Sequence, residues 1–260
     1  MKRILLTTVS LGVLGLVSPA LGADLAPYGK APALASPVYD WSGFYVGVIG
    51  GGGWGNHNVN NALGANTPFA NYSANYTSQG GLGGGEAGYN FQSGSVVVGI
   101  EAQGFWSDIK GSDAVAVGQG LFPNVAAIDA DSLRWGGSLV ARGGFTVDRW
   151  LMFFTGGWAF GDIQHTNTAV PAVLGLPVVD QFTVHANGLT AGGGIAYAIT
   201  NNLIGKIEYR YYNFNGYNRP GVGGTGLTAN GQLPYTTETS YSTVTVGLDY
   251  KFGGPVVARY

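Results

Sequence analysis

The stretch Thr243-Val244-Thr245-Val246-Gly247-Leu248-Asp249-Tyr250-Lys251-Phe252 decides the fold. Read two residues apart, Val244, Val246, Leu248, Tyr250 and Phe252 share one face, while Thr243, Thr245, Gly247, Asp249 and Lys251 share the other. Period-2 alternation marks a β-strand with two unlike faces, because successive side chains point to opposite sides. Upstream, Lys206, Glu208 and Arg210 alternate with Ile207, Tyr209 and Tyr211, and Gly99, Glu101 and Gln103 alternate with Val98, Ile100 and Ala102. A Lys or Arg turned toward mid-bilayer lipid costs about 2–4 kcal/mol. Lipid therefore takes the apolar faces, and the charged faces look into an enclosed lumen.

The pattern recurs over eight segments, roughly 43 to 54, 80 to 92, 95 to 107, 132 to 146, 150 to 162, 186 to 199, 203 to 214 and 240 to 252. An even number of such segments is what a single-chain outer-membrane barrel requires. Short turns at Ser93-Gly94, Asp148-Arg149 and Thr200-Asn201-Asn202 alternate with long stretches at 55 to 79, 108 to 131, 163 to 185 and 215 to 239. These stretches are rich in Asn, Gly, Ala, Thr and Pro and are read as structureless outer loops. Four such loops are foreign to a compact soluble domain, whereas barrels pair short periplasmic turns with long external loops. The expected fold is an all-β, eight-stranded antiparallel up-and-down transmembrane barrel with both chain ends in the periplasm.

The rest of the chain agrees. Only 10% of its 260 residues are charged and 13% are aromatic, against about 25% charged in an average soluble domain. A net charge of -2 offers no basic field for phosphates, so nucleic acid is excluded as a partner. With no Cys there are no disulfides and no thiolate metal site. Lys2 and Arg3 precede an apolar run from Ile4 to Val17 and then small residues to Ala23. This describes a signal peptide, residues 1–22, cut after Gly22 or Ala23. The apolar run is shorter than the roughly 20 residues of a spanning helix, so membrane crossing falls to a closed barrel. Residues 23–42, with Pro27, Pro32 and Pro37, read as an extended periplasmic linker, residues 43–252 as the barrel, and residues 253–260 as a short extension.

Inside the barrel, Glu86, Glu101, Arg142 and Glu208 fall at a common depth, with Lys206, Arg210, Asp249 and Lys251 within a few residues of it. Eight strands leave an interior just wide enough for side chains, and charges there must pair. The cluster is expected to act as a plug in the periplasmic half, either a satisfied polar core or a gate on a narrow ion path. Inward Gly47, Gly88, Gly99, Gly144, Gly157, Gly192 and Gly247 are expected to leave room for water near it. On the lipid side, amphipathic rings prefer the headgroup level. Aromatic girdles are expected from Phe44, Tyr89, Phe91, Trp150 and Tyr197 near the periplasm, and from Trp54, Trp135 and Trp158 near the outside. His57, His165 and His185 fall in or beside the expected outer loops without metal-ligand spacing and read as solvated. The Gly-rich runs 50 to 53 and 80 to 85 lack the Gly-Lys-Ser/Thr ending of a phosphate loop. No catalytic set, metal site or cofactor is expected.

Five stretches carry a family resemblance. Trp41-Ser42-Gly43-Phe44-Tyr45-Val46-Gly47, Gly88-Tyr89-Asn90-Phe91-Gln92, Thr155-Gly156-Gly157-Trp158-Ala159-Phe160-Gly161, Lys206-Ile207-Glu208-Tyr209-Arg210-Tyr211 and Val246-Gly247-Leu248-Asp249-Tyr250-Lys251-Phe252 occur in order along the chain. Together they resemble the opacity-type, porin-like outer-membrane surface antigens. The resemblance implies a structural, envelope-integrity or surface-antigen role; the charged lumen leaves a narrow passive channel as the alternative, and the missing catalytic set argues against an outer-membrane lipid-modifying or proteolytic enzyme. Thr245 to Phe252 also resembles the terminal signal read by the barrel-assembly machinery, with Gly247, Tyr250 and Phe252 at the matching places. Periplasmic chaperones and outer-membrane lipid are the further partners it implies. The sequence names no partner for the external loops. Two departures stand out: Gly253 to Tyr260 follow the signal, and Ala196 stands where relatives would carry a lumen carboxylate.

Overall fold

The computed structural model describes residues 39–61, 72–116, 126–170, 178–219 and 235–253. The expected signal peptide, most of the linker and nearly all of the C-terminal extension lie outside them. Eight strands follow one another: β1 (Gly43–Asn61), β2 (Tyr72–Ser93), β3 (Val96–Ala116), β4 (Ala126–Val147), β5 (Trp150–Val170), β6 (Val178–Ala198), β7 (Leu203–Arg219) and β8 (Tyr235–Lys251). Each pairs antiparallel with its sequence neighbour, and β1 pairs with β8 to close a barrel. The seam runs from Tyr45 opposite Lys251 to Asn60 opposite Thr236. Its periplasmic end is finished by the Phe252 amide donating to the Phe44 carbonyl at 2.8 Å.

The periplasmic turns are built by local chemistry. Gly94 takes a φ of 60° between β2 and β3, and Asp148 takes 53° between β4 and β5. Gly enters this left-handed region freely and Asp is among the few other residues that do. Between β6 and β7 the Thr200 hydroxyl accepts from the amides of Asn202 and Leu203 at 3.2 and 3.0 Å.

The outward faces carry one apolar band. It runs from Phe44 to Trp54 on β1, from Val96 to Trp106 on β3, from Phe145 to Trp135 on β4, from Trp150 to Phe160 on β5 and from Phe252 to Val244 on β8. Ten residues at about 3.3 Å each, tilted by about 40°, rise about 25 Å, the height of the lipid-facing band of an outer-membrane barrel. Above it the outward residues turn polar: Asn56 and Asn58, Asp108 and Lys110, Asp162 and Gln164, Asn187 and His185, Ser242 and Ser240.

The strands do not stop where the band stops, and this corrects the sequence reading. Much of the four stretches taken as structureless loops continues the ladders, with Val59 opposite Ala74, Ala116 opposite Ala126 and Ala169 opposite Val178. Only residues 62–71, 117–125, 171–177 and 220–234 of those stretches lie outside the described residues. Outside the bilayer both faces of a strand can be polar, so hydropathy alternation fades while backbone pairing persists. The linker also ends earlier than expected. Tyr39 and Trp41 are buried at the periplasmic end against Val97, Leu151 and Ile204, and the Trp41 amide donates to Gln92 Oε1 at 2.7 Å. The Tyr39 hydroxyl donates to the Asn201 carbonyl at 3.2 Å, and burial pushes its pKa up to about 12.

Val246→Arg, at mid-band and facing outward, should cost about 2–4 kcal/mol of stability in reversible folding into lipid bilayers. Substituting Asn58→Arg, above the band, should cost less than 1 kcal/mol in the same assay, about the value expected near the interface.

Candidate functional site

The lumen is filled in layers. The lowest is apolar, formed by Tyr39, Trp41, Val97, Leu151, Phe153, Ala196, Ala198 and Ile204. Ala196, the expected lumen carboxylate position, belongs to this dry floor. Above it lies the charged layer, contributed by β2, β3, β4 and β7. Lys206 Nζ lies 2.6 Å from a Glu86 carboxylate oxygen, 3.3 Å from Glu101 Oε2 and 3.4 Å from Glu208 Oε2. Arg210 Nη2 bridges Glu101 Oε1 at 2.8 Å and Glu208 Oε1 at 2.5 Å, while its Nη1 donates to Ser138 Oγ at 2.6 Å. Arg142 Nη2 reaches Glu101 Oε2 at 3.0 Å, and its guanidinium lies over the Phe153 ring, 4.0 Å from the centroid. Tyr45 joins the two signs, accepting from Arg142 Nη1 at 2.9 Å and donating to Glu101 Oε2 at 2.8 Å.

Three carboxylates thus meet three cations, and the cluster is neutral as a whole. Pairing of this kind is what makes buried charge tolerable, since an unmatched ion in so dry a place costs several kcal/mol. The oxygens of Glu86, Glu101 and Glu208 lie close enough together to suit a metal, but Lys206 already bonds all three.

One member of the expected cluster sits elsewhere. Lys251 turns to the periplasmic end, where its Nζ donates to the Asp40 carbonyl and lies 4.6 Å from the Tyr39 ring centroid. Asp249 stays with the cluster, beside Glu86 and over Gly47, although it takes part in none of the ion pairs. Two of the lumen glycines lie against the cluster. These two make room for its side chains: a Cβ at Gly88 would stand 2.4 Å from the Tyr45 hydroxyl, and one at Gly247 would stand 2.9 Å from the Lys206 chain. Glycine here admits a close neighbour.

A second apolar layer lies outward of the charges, with Phe105, Ile109, Leu133, Ile163, Tyr212, Phe214 and Tyr241 among its members. Beyond it, at the outer end, His57, His165, Asp129 and Asp131 are buried together with Tyr76. This layer is absent from the sequence reading, which took His57 and His165 as solvated. His185 alone is exposed, 2.5 Å from Asp162 Oδ1.

On the lipid side, Phe44, Trp54, Tyr89, Phe91, Trp135, Trp150, Trp158 and Tyr197 all point outward and are exposed. The Trp135 indole donates to Asp162 Oδ2 at 2.8 Å, at the upper edge of the band. Trp106, 75% exposed on the same edge, was missed, although it continues the Val98, Ile100, Ala102 face. Tyr250 and Phe252 also face outward, their ring centroids 5.1 Å apart, with Phe252 resting 5.7 Å from Phe44 across the seam.

A ring of eight strands with an apolar belt, short turns at one end and a filled interior defines an outer-membrane β-barrel. The chain belongs to the outer membrane protein β-barrel domain family, whose model matches residues 23–252, and it resides in the outer membrane. It is similar to the 31 kDa outer-membrane immunogenic protein of Brucella melitensis, 29% identical over 97% of this chain and 100% of the relative. The 25 kDa outer-membrane immunogenic protein of Brucella canis is 30% identical over 95% of this chain and 97% of the relative. Among solved structures, Ail, the attachment invasion locus protein of Yersinia pestis, is 11% identical over 81% of this chain and 99% of that one, with a TM-score of 0.36.

Arg210→Met should cost about 3–5 kcal/mol in unfolding by denaturant, because it strands Glu208 and part of Glu101 in a dry interior. The double change Arg210→Met with Glu208→Met should recover most of that loss, and recovery separates charge stranding from lost packing.

Proposed function

We propose that this chain is a non-enzymatic structural barrel that displays its outer loops as surface antigen and contributes to envelope integrity. One observation carries the proposal: among the described residues, side chains fill the bilayer-embedded lumen in an apolar, a charged and a second apolar layer. A passage for ions needs a continuous wet path, and two dry layers flank the only charged one of the bilayer-embedded interior among the described residues. The charged layer is therefore a polar core that fixes the register of the strands. The names of the Brucella relatives, both called immunogenic, agree with exposure of the outer end. Polar outward residues carry the described strands beyond the lipid-facing band.

Export and assembly follow the same reading. Gly247, Tyr250 and Phe252 serve as the insertion signal for the barrel-assembly machinery, delivered by periplasmic chaperones. Tyr250 and Phe252 are displayed on the outer surface of β8, while Gly247 keeps the space that Lys206 needs.

Conductance of purified protein in planar bilayers tests the closed lumen. Neither the wild type nor Arg142→Ala should open channels, because Phe105 and Tyr212 still block the path. Regular unitary currents in the wild type would replace this reading with the channel.

A further inference from the structure

Three histidines occur in the chain, and two of them meet at one carboxylate inside the barrel. His57 comes from β1, His165 from β5 and Asp131 from β4. His57 Nδ1 lies 2.9 Å from Asp131 Oδ2, and His165 Nδ1 contacts Asp131 Oδ1. All three are at most 2% exposed. We propose that His57, His165 and Asp131 form a binding site for one divalent first-row transition cation, of the zinc, nickel or copper kind, in the extracellular part of the barrel.

The donor set argues for that class of ion. Two imidazoles and one carboxylate suit a borderline-soft cation, whereas calcium and magnesium prefer all-oxygen cages. Both ring nitrogens already aim at the same carboxylate. A cation seated among them would exchange each N···O hydrogen bond for a bond of about 2.0–2.1 Å from nitrogen to metal, and the side chains must draw together to do so, because the two imidazoles meet different oxygens of Asp131. Coordination through Nδ1 requires the ring proton on Nε2. His57 Nε2 lies 2.9 Å from Ser78 Oγ, a hydroxyl able to accept that proton once Nδ1 is given to a metal, the usual arrangement behind a metal-bound histidine.

The surroundings favour a defined site. His57 stacks on Tyr76 at 4.9 Å and meets the edge of Tyr241 at 5.5 Å. His165 lies 5.3 Å from Phe182. Two residues further into the barrel from Asp131 and His165 stand Leu133 and Ile163, part of the apolar layer that separates this chamber from the charged one. Asp129, also buried on β4, adds a second carboxylate at the same end.

Cobalt(II) is the probe, since its d–d absorption reports nitrogen and oxygen coordination. Folded protein in detergent should take up one equivalent with a visible band that zinc displaces. His165→Gln or Asp131→Asn should weaken cobalt binding by at least 100-fold, and Ser78→Ala by about 10-fold, while His185→Gln leaves it unchanged. Heat-dependent mobility on gels verifies that each variant is a folded barrel. Independently of any variant, one equivalent of zinc should shift the imidazole nitrogen resonances of two histidines in the wild type and leave the third in place. Absence of a cobalt band in the folded wild type, a band that survives the double change His57→Gln with His165→Gln, or zinc shifts at none of the histidines would overturn the proposal.

Discussion

Everything in this molecule follows from the need to hide backbone polar groups from hydrocarbon. Each unsatisfied amide or carbonyl in the bilayer costs several kcal/mol, and a sheet with two free edges would expose a row of them. The pairing of β1 with β8 removes both edges. Closure has a second consequence, because a ring of eight strands encloses only a side-chain-wide interior. Whatever the inward positions carry must then pack and pair. The neutral cluster around Lys206, Arg210 and Arg142 is the solution the chain adopts for its charges.

The same confinement explains where glycine is spent. Tyr45 and Lys206 are too large to face large neighbours across so narrow a space, and Gly88 and Gly247 give way to them. The interior is therefore packed by exchange of volume between adjacent strands, bulky against absent. Apolar layers on both sides keep water from the ion pairs and tighten them. The arrangement ties neighbouring strands together through their side chains.

The fold was legible in the sequence to the extent that lipid writes contrast into it. Between Val244 and Phe252 one face must be apolar and the other can be polar, so period, face and direction can all be read. The grouping of Glu86, Glu101, Arg142 and Glu208 could be read in the same way, by counting from the periplasmic turns. Above the band the contrast vanishes, and the strands on either side of residues 62–71 passed for loops. His165 was still within reach, since it keeps the odd-numbered inward parity of Phe153, Thr155 and Ile163. Asp131 was not, because an irregularity between Leu133 and Trp135 reverses the parity of β4. Arg142, Val140 and Ser138 face inward at even numbers, and Leu133, Asp131 and Asp129 at odd ones. The buried Tyr39 and Trp41 were masked by their proline-rich neighbourhood.

The most direct test uses the absence of native cysteine, which makes any introduced thiol a unique reporter. Single cysteines at successive positions from 244 to 251, labelled with a fluorophore in refolded protein, are exposed to nitroxide-bearing lipids. The account predicts strong quenching at 244, 246, 248 and 250 and weak quenching at 245, 247, 249 and 251. Quenching of similar strength at all eight positions would contradict a closed barrel with one face in lipid.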